Sequence, residues 1–123
     1  MLVSLNNSII ADKSFKFAKR IVFLYKQLTE EHNEYVMSKQ ILRSGTSIGA
    51  NVKEALRGQS KKDFLFKLYI SLKETDETEY WLNLLIDTGY IEKNAGINLL
   101  KDCQEISKIL NAIIKTTKNN LQI

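Results

Sequence analysis

Few residues of this 123-residue chain can do chemistry. His32 is the single histidine and Cys103 the single cysteine. A di-iron helical bundle needs several Glu and two Glu-x-x-His pairs. Glu30 and His32 do not stand at that spacing, and there is no second His. No metal or other cofactor is therefore expected. Cys103 shares a helical seam with Leu99, Ile106 and Leu110, which suits a small buried hydrophobe better than a nucleophile. Gly45 and Gly49 lack the Lys-Ser/Thr ending of a phosphate-binding loop. Ser44, Ser47 and Asn51 form a polar edge beside those glycines, fit for a helix contact or for part of a ligand site. No catalytic residue is nominated, and no enzyme is expected.

Charge offers a second kind of chemistry. The chain carries 18 Lys and Arg against 14 Asp and Glu, a net of +4. Residues 1–67 hold 12 cations and 6 anions, whereas residues 68–123 hold 6 and 8. A cationic half can gather a polyanion by counterion release, whatever the polyanion's sequence. The candidate nucleic-acid-binding residues are Lys39, Arg43, Lys53, Arg57, Lys61 and Lys62. The same cations also suit an ordinary solvated surface.

Helices must position these groups. Pro is absent and there are five Gly, too little turn chemistry for most β-sandwiches or barrels. The expected fold is all-α: an antiparallel up-down-up-down four-helix bundle in a single domain, residues 1–123. Its helices are expected over about 12–29, 33–57, 61–88 and 93–117, with a frayed tail from Lys118.

In the first helix Phe17, Ile21, Leu24 and Leu28 make one apolar row, and Phe15, Ala18, Val22 and Tyr25 a neighbouring one. The second has an apolar face of Met37, Ile41, Gly45, Ile48, Gly49, Val52, Ala55 and Leu56. Each Gly costs about 1 kcal/mol against Ala inside a helix. Close approach of another helix would offset that; the alternative is a helix break near Ser44–Ser47.

The third helix has a capping-box start at Ser60 and Asp63, and Gly89 stands where a left-handed cap would end it. Leu65, Leu68, Leu72, Thr75, Leu82 and Ile86 form its core stripe. Phe66, Ile70, Tyr80, Trp81 and Leu84 form a second stripe on roughly the opposite side. That second stripe is the candidate oligomer interface. Glu77 falls within it and needs a cationic or hydrogen-bonding partner, for which Arg43 and Lys73 both qualify. The fourth helix carries a narrow seam of Leu99, Cys103, Ile106, Leu110, Ile113 and Thr117.

No run of about 18 apolar residues occurs, so no membrane span is expected. The start, Met1 to Ala11, does not read as a signal peptide. With a single cysteine, the cytoplasm is the expected compartment.

The stretch from Gln40 to Ala55, QILRSGTSIGANVKEA, resembles the pattern Q-L-x-R-S-x-x-S-I-x-x-N-I-x-E-G/A of the 23S ribosomal RNA intervening-sequence proteins. Ser60-Lys61-Lys62-Asp63-Phe64 is similar to that family's third-helix start, and Thr88-Gly89-Tyr90-Ile91 to the turn after it. The resemblance spans about Tyr35 to Leu110. Arg43, Ser44, Ser47, Asn51 and Glu54 match the signature; Ala55 stands where Gly is usual, and Lys73-Glu74 where a Gly-Ser pair is common. The resemblance implies a bacterial four-helix bundle of poorly settled role. A protein related to that family, the accessory variability determinant of diversity-generating retroelements, is a cationic pentameric barrel that binds nucleic acid and a reverse transcriptase. That relation implies a homo-oligomer, with a pentamer favoured, and RNA or DNA as partner. The competing expectation is an oligomeric scaffold for another protein, with no nucleic-acid role.

Overall fold

A computed structural model describes residues 5–121. Four helices follow one another: α1 (Leu5–His32), α2 (Met37–Leu56), α3 (Lys61–Asp87) and α4 (Lys93–Leu121). The connections, 33–36, 57–60 and 88–92, are too short for anything but antiparallel neighbours. Each helix packs on the next and α4 closes on α1, with no diagonal packing among the described residues. The register runs antiparallel throughout. Gly45 and Gly49 of α2 meet Ile21 and Ser14 of α1. Ser44 and Ile48 of α2 meet Thr78 and Ser71 of α3. The architecture is the four-helix bundle expected from the sequence.

Side-chain chemistry sets the helix ends. Asn33 takes a positive φ of 52°, and the Glu34 amide turns back to the Leu28 carbonyl at 3.0 Å. The Glu34 carboxylate then accepts the amides of Val36 (3.0 Å), Met37 (2.9 Å) and Ser38 (2.8 Å). The second helix consequently starts at Met37 rather than Asn33. Ser60 accepts the Asp63 amide at 3.1 Å, as its position suggests. Gly89, at φ 82°, ends α3 in a Schellman turn: its amide reaches Ile86, and that of Tyr90 reaches Leu85 at 3.0 Å. The chain from Lys118 to Leu121 continues α4, contrary to the expected fraying. The last two residues of the predicted tail lie outside the described residues.

The core collects Phe17, Ile21 and Leu28 from α1, Ile41, Ile48 and Val52 from α2, Leu68, Leu82 and Leu85 from α3, and Ile106 and Leu110 from α4. A Cβ on Gly45 would lie 2.8 Å from Ile21 Cγ1, and one on Gly49 3.3 Å from the Ser14 backbone. Close approach of α1 therefore explains both glycines, and α2 runs unbroken past Ser44–Ser47.

The buried line of α3 corrects the expected stripe. It is Leu68, Ser71, Thr75, Thr78, Leu82 and Leu85, spaced alternately by three and four; Leu65, Leu72 and Ile86 are half-buried. Short hydroxyl side chains can enter a core because they bond to the preceding turn. Thr75 donates to the Ser71 carbonyl and Ser71 to the Ile48 carbonyl of α2, at 2.8 and 2.9 Å. In α1 the second apolar row does not join the core: Phe15 and Val22 are exposed.

Candidate nucleic-acid interface

Arg43, Ser44 and Glu54 build the α2–α3 seam, whereas Ser47 and Asn51 bond back to carbonyls of their own helix. Arg43 donates to Glu74 at 2.9 Å and to Glu77. The hydrogen bond to Glu77 is the main cause that raises the guanidinium pKa; burial opposes it, and the Glu74 charge adds to it. This answers which cation partners Glu77, and Trp81 adds its indole N–H to the same carboxylate at 3.2 Å. Ser44 is buried with its hydroxyl 2.9 Å from that of Thr78. Ser47 donates to the Arg43 carbonyl (2.6 Å) and Asn51 to the Ser47 carbonyl (2.8 Å). Glu54 accepts Lys67 of α3 at 2.9 Å. Of the polar edge only Ser44 makes a contact with another helix, Ser47 and Asn51 being satisfied within α2, and no buried side-chain polar atom is left without a partner among the described residues.

Cys103 is buried, with Sγ 3.4 Å from the Thr75 carbonyl. Burial, followed by the charges of Glu79, Asp76 and Asp102, pushes its thiol up to about 12. At neutral pH the group is a protonated thiol, not a nucleophile. His32 packs edge-on against Tyr90, with ring centroids 6.0 Å apart. Among the described residues, no group of three His, Cys, Asp or Glu could hold a metal ion. No described helix is long and apolar enough to cross a membrane.

The candidate cations divide into two sets. Arg43 is held by two carboxylates. Lys39, Lys53, Arg57, Lys61 and Lys62 are exposed and form no ion pair with the described residues. Lys39 sits near the start of α2, about 21 Å along the helix from Lys53. Lys53 and Arg57, one turn apart, close α2, and Lys61 and Lys62 open α3 across the turn.

Antiparallel packing gives this group a setting that the linear sequence hides. A waist can be drawn through the Thr75–Cys103 contact and between the Gly45–Ile21 and Gly49–Ser14 contacts. On one side lie residues 5–18, 47–74 and 104–121, with eleven Lys and Arg against five Asp and Glu. On the other lie residues 19–46 and 75–103, with seven against nine. The bundle therefore has a basic end and a mildly acidic one. Lys53, Arg57, Lys61 and Lys62 belong to the basic end.

The second stripe of α3 is divided as well. Trp81 is half-buried and packs on the core, Ile70 and Leu84 are half-buried, and Phe66 and Tyr80 are 63% and 60% exposed. Tyr80 stands edge-on to Trp81, with centroids 5.1 Å apart. Phe66, about 21 Å away along the helix, lines a groove with Lys53, Arg57 and Lys67 at the basic end. Sequence reasoning placed it with Tyr80 because both are large and apolar on one helix face.

The fold and the sequence as a whole match known proteins. The chain has 56% identity to a crystal structure from Bacteroides thetaiotaomicron, described as a protein of unknown function from the S23 ribosomal protein family. The two superpose with a TM-score of 0.89 over 90% of this chain and 99% of the other. No curated protein matches the chain. The family model of the 23S rRNA-intervening sequence proteins matches residues 6–112. With that match over most of its length, the chain belongs to the 23S rRNA-intervening sequence protein family.

Proposed function

We propose that this protein is a non-enzymatic homo-oligomer that holds RNA or DNA on its basic end. The observation that carries the reading is the group Lys53, Arg57, Lys61 and Lys62, without an ion pair among the described residues where α2 gives way to α3. Among the described residues, five of the 18 Lys and Arg are tied to carboxylates, Lys13, Lys16, Arg20, Arg43 and Lys67; what marks Lys53, Arg57, Lys61 and Lys62 among the rest is that all four fall within ten residues across one turn. Cations left unpaired together repel one another, and a polyanion relieves that repulsion.

Self-association is supported by Tyr80, exposed beside half-buried Trp81 on the face that also carries half-buried Leu84 and, further along α3, Ile70. A ring of five copies is the assembly that the family resemblance implies. Sedimentation velocity tests it: wild-type protein should run as an oligomer and Tyr80→Glu as a smaller species. A wild-type monomer at high concentration would remove the oligomer from the reading.

The nucleic-acid half is tested by titrating a labelled RNA at low and moderate salt. Binding should weaken steeply as salt rises. Absence of binding at low salt would overturn it. A protein scaffold is the second reading, favoured by Phe23, a large apolar side chain exposed on α1 away from the α3 stripe.

A further inference from the structure

Lys53 and Arg57 form a ridge that walls two grooves. The α2–α3 groove, about 550 Å³, adds Phe66 and Lys67. The α1–α2 groove, about 560 Å³, adds Phe15 and Ala18. Phe66 and Phe15 are 63% and 64% exposed and lie outside the core. Each groove therefore offers a solvent-exposed aromatic ring next to Lys53 and Arg57, which form no ion pair with the described residues. Lys19 adds a further ammonium 5.3 Å from the centre of the Phe15 ring.

A nucleic-acid duplex hides the faces of its bases and presents phosphate. A single strand presents phosphates and free base faces together, and aromatic side chains capture those faces by stacking. The α2–α3 groove also contains Glu54 and Asp63. Glu54 is engaged by Lys67, and the Asp63 amide is held by Ser60. Carboxylates on a groove wall repel phosphate but accept hydrogen bonds from exocyclic amino groups of bases. Phosphate is thus favoured on the ridge and bases in the grooves.

We propose that this ridge seats a single-stranded nucleic acid, with its backbone on Lys53 and Arg57 and its bases against Phe66 and Phe15. The proposal rests on the nucleic-acid reading above and narrows it to one strand state and one seat.

The test is fluorescence anisotropy with a labelled oligoadenosine of about 16 nucleotides, whose bases carry an exocyclic amino group, free and annealed to oligouridine. The free strand should bind at least about tenfold more tightly than the duplex. Phe66→Leu, which keeps bulk and removes the aromatic face, should loosen the free strand by about tenfold. Phe66→Trp should retain the affinity. Both variants should keep the wild-type melting temperature and salt slope. Equal affinity for strand and duplex overturns the proposal and leaves the broader nucleic-acid reading standing. A single-strand preference untouched by both Phe66→Leu and Phe15→Leu also overturns it, because the seat then lies elsewhere. Failure of both probes to bind at low salt removes the proposal and the nucleic-acid reading together.

Discussion

Arg43 reaches across the α2–α3 seam to Glu74 at 2.9 Å, the guanidinium half in solvent and the carboxylate only 14% exposed. The arginine at the centre of the family signature is thus already neutralised by its own bundle, with Glu77 as its second acceptor. Its unpaired counterparts lie further along α2, at Lys53 and Arg57.

This division separates two substitutions of the same kind. Arg43→Glu should destabilise the fold by about 1–3 kcal/mol, because it leaves Glu74 and Glu77 facing a third negative charge. Arg57→Glu should leave stability within about 0.5 kcal/mol and weaken oligonucleotide binding. Thermal melts paired with binding isotherms check both. Equal loss of stability in the two variants would contradict the assignment.

Gly45 admits no side chain without movement of α1, since an added Cβ would sit 2.8 Å from Ile21 Cγ1. Gly45→Leu should lower stability by about 1–3 kcal/mol through overpacking, despite its better helix propensity. Urea denaturation measures this, and an unchanged midpoint would refute the close-packing account.

Acid should weaken the α1–α2 turn. Burial works to raise the Glu34 pKa, but hydrogen bonds from the Met37, Ser38 and Val36 amides outweigh it and hold the group below its ordinary 4.5. A carboxylate with a depressed folded-state pKa stabilises fully above its unfolded value and loses that contribution as pH falls through the folded one. Wild-type protein should therefore lose more stability than Glu34→Gln as pH drops below about 4.5. Glu34→Ala should cost about 0.5–2 kcal/mol at neutral pH, as other lost helix caps do. Parallel pH–stability curves for wild type and Glu34→Gln would refute this role.

Cys103 should behave as an inert thiol. With its pKa pushed up to about 12 and its side chain buried, native protein should resist a disulfide reagent at pH 8. Labelling should appear only as fast as the bundle unfolds. Rapid reaction of the folded protein would contradict the burial described.

The helices and much of the core were legible because Ile21, Ile48 and Leu110 recur at helical spacing and Gly45 and Gly49 share one face. Ser71 and Thr78 were not legible as core. Hydropathy scores a hydroxyl as polar, while in place each is satisfied by a nearby carbonyl or hydroxyl. Glu34 was overlooked because a carboxylate in a short connection looks like solvated surface until its three amide donors are seen. The basic residues were legible as a half of the sequence, but not as an end of the molecule. Lys115 and Lys118 join Lys53 and Lys61 only once α4 folds back antiparallel. Phe66 was read with Tyr80 because one helix face carries both, and only the neighbouring α2 distinguishes their surroundings.

The salt dependence of oligonucleotide binding tests the central claim most directly. If Lys53, Arg57, Lys61 and Lys62 each meet a phosphate, the logarithm of affinity should fall against the logarithm of salt with a slope near 3 for a single strand, at about 0.7 per contact. Lys53→Gln with Arg57→Gln should reduce that slope by about 1.4 without altering the melting temperature. A slope that the double substitution leaves unchanged, or no binding at low salt, would contradict a basic end built to hold a polyanion.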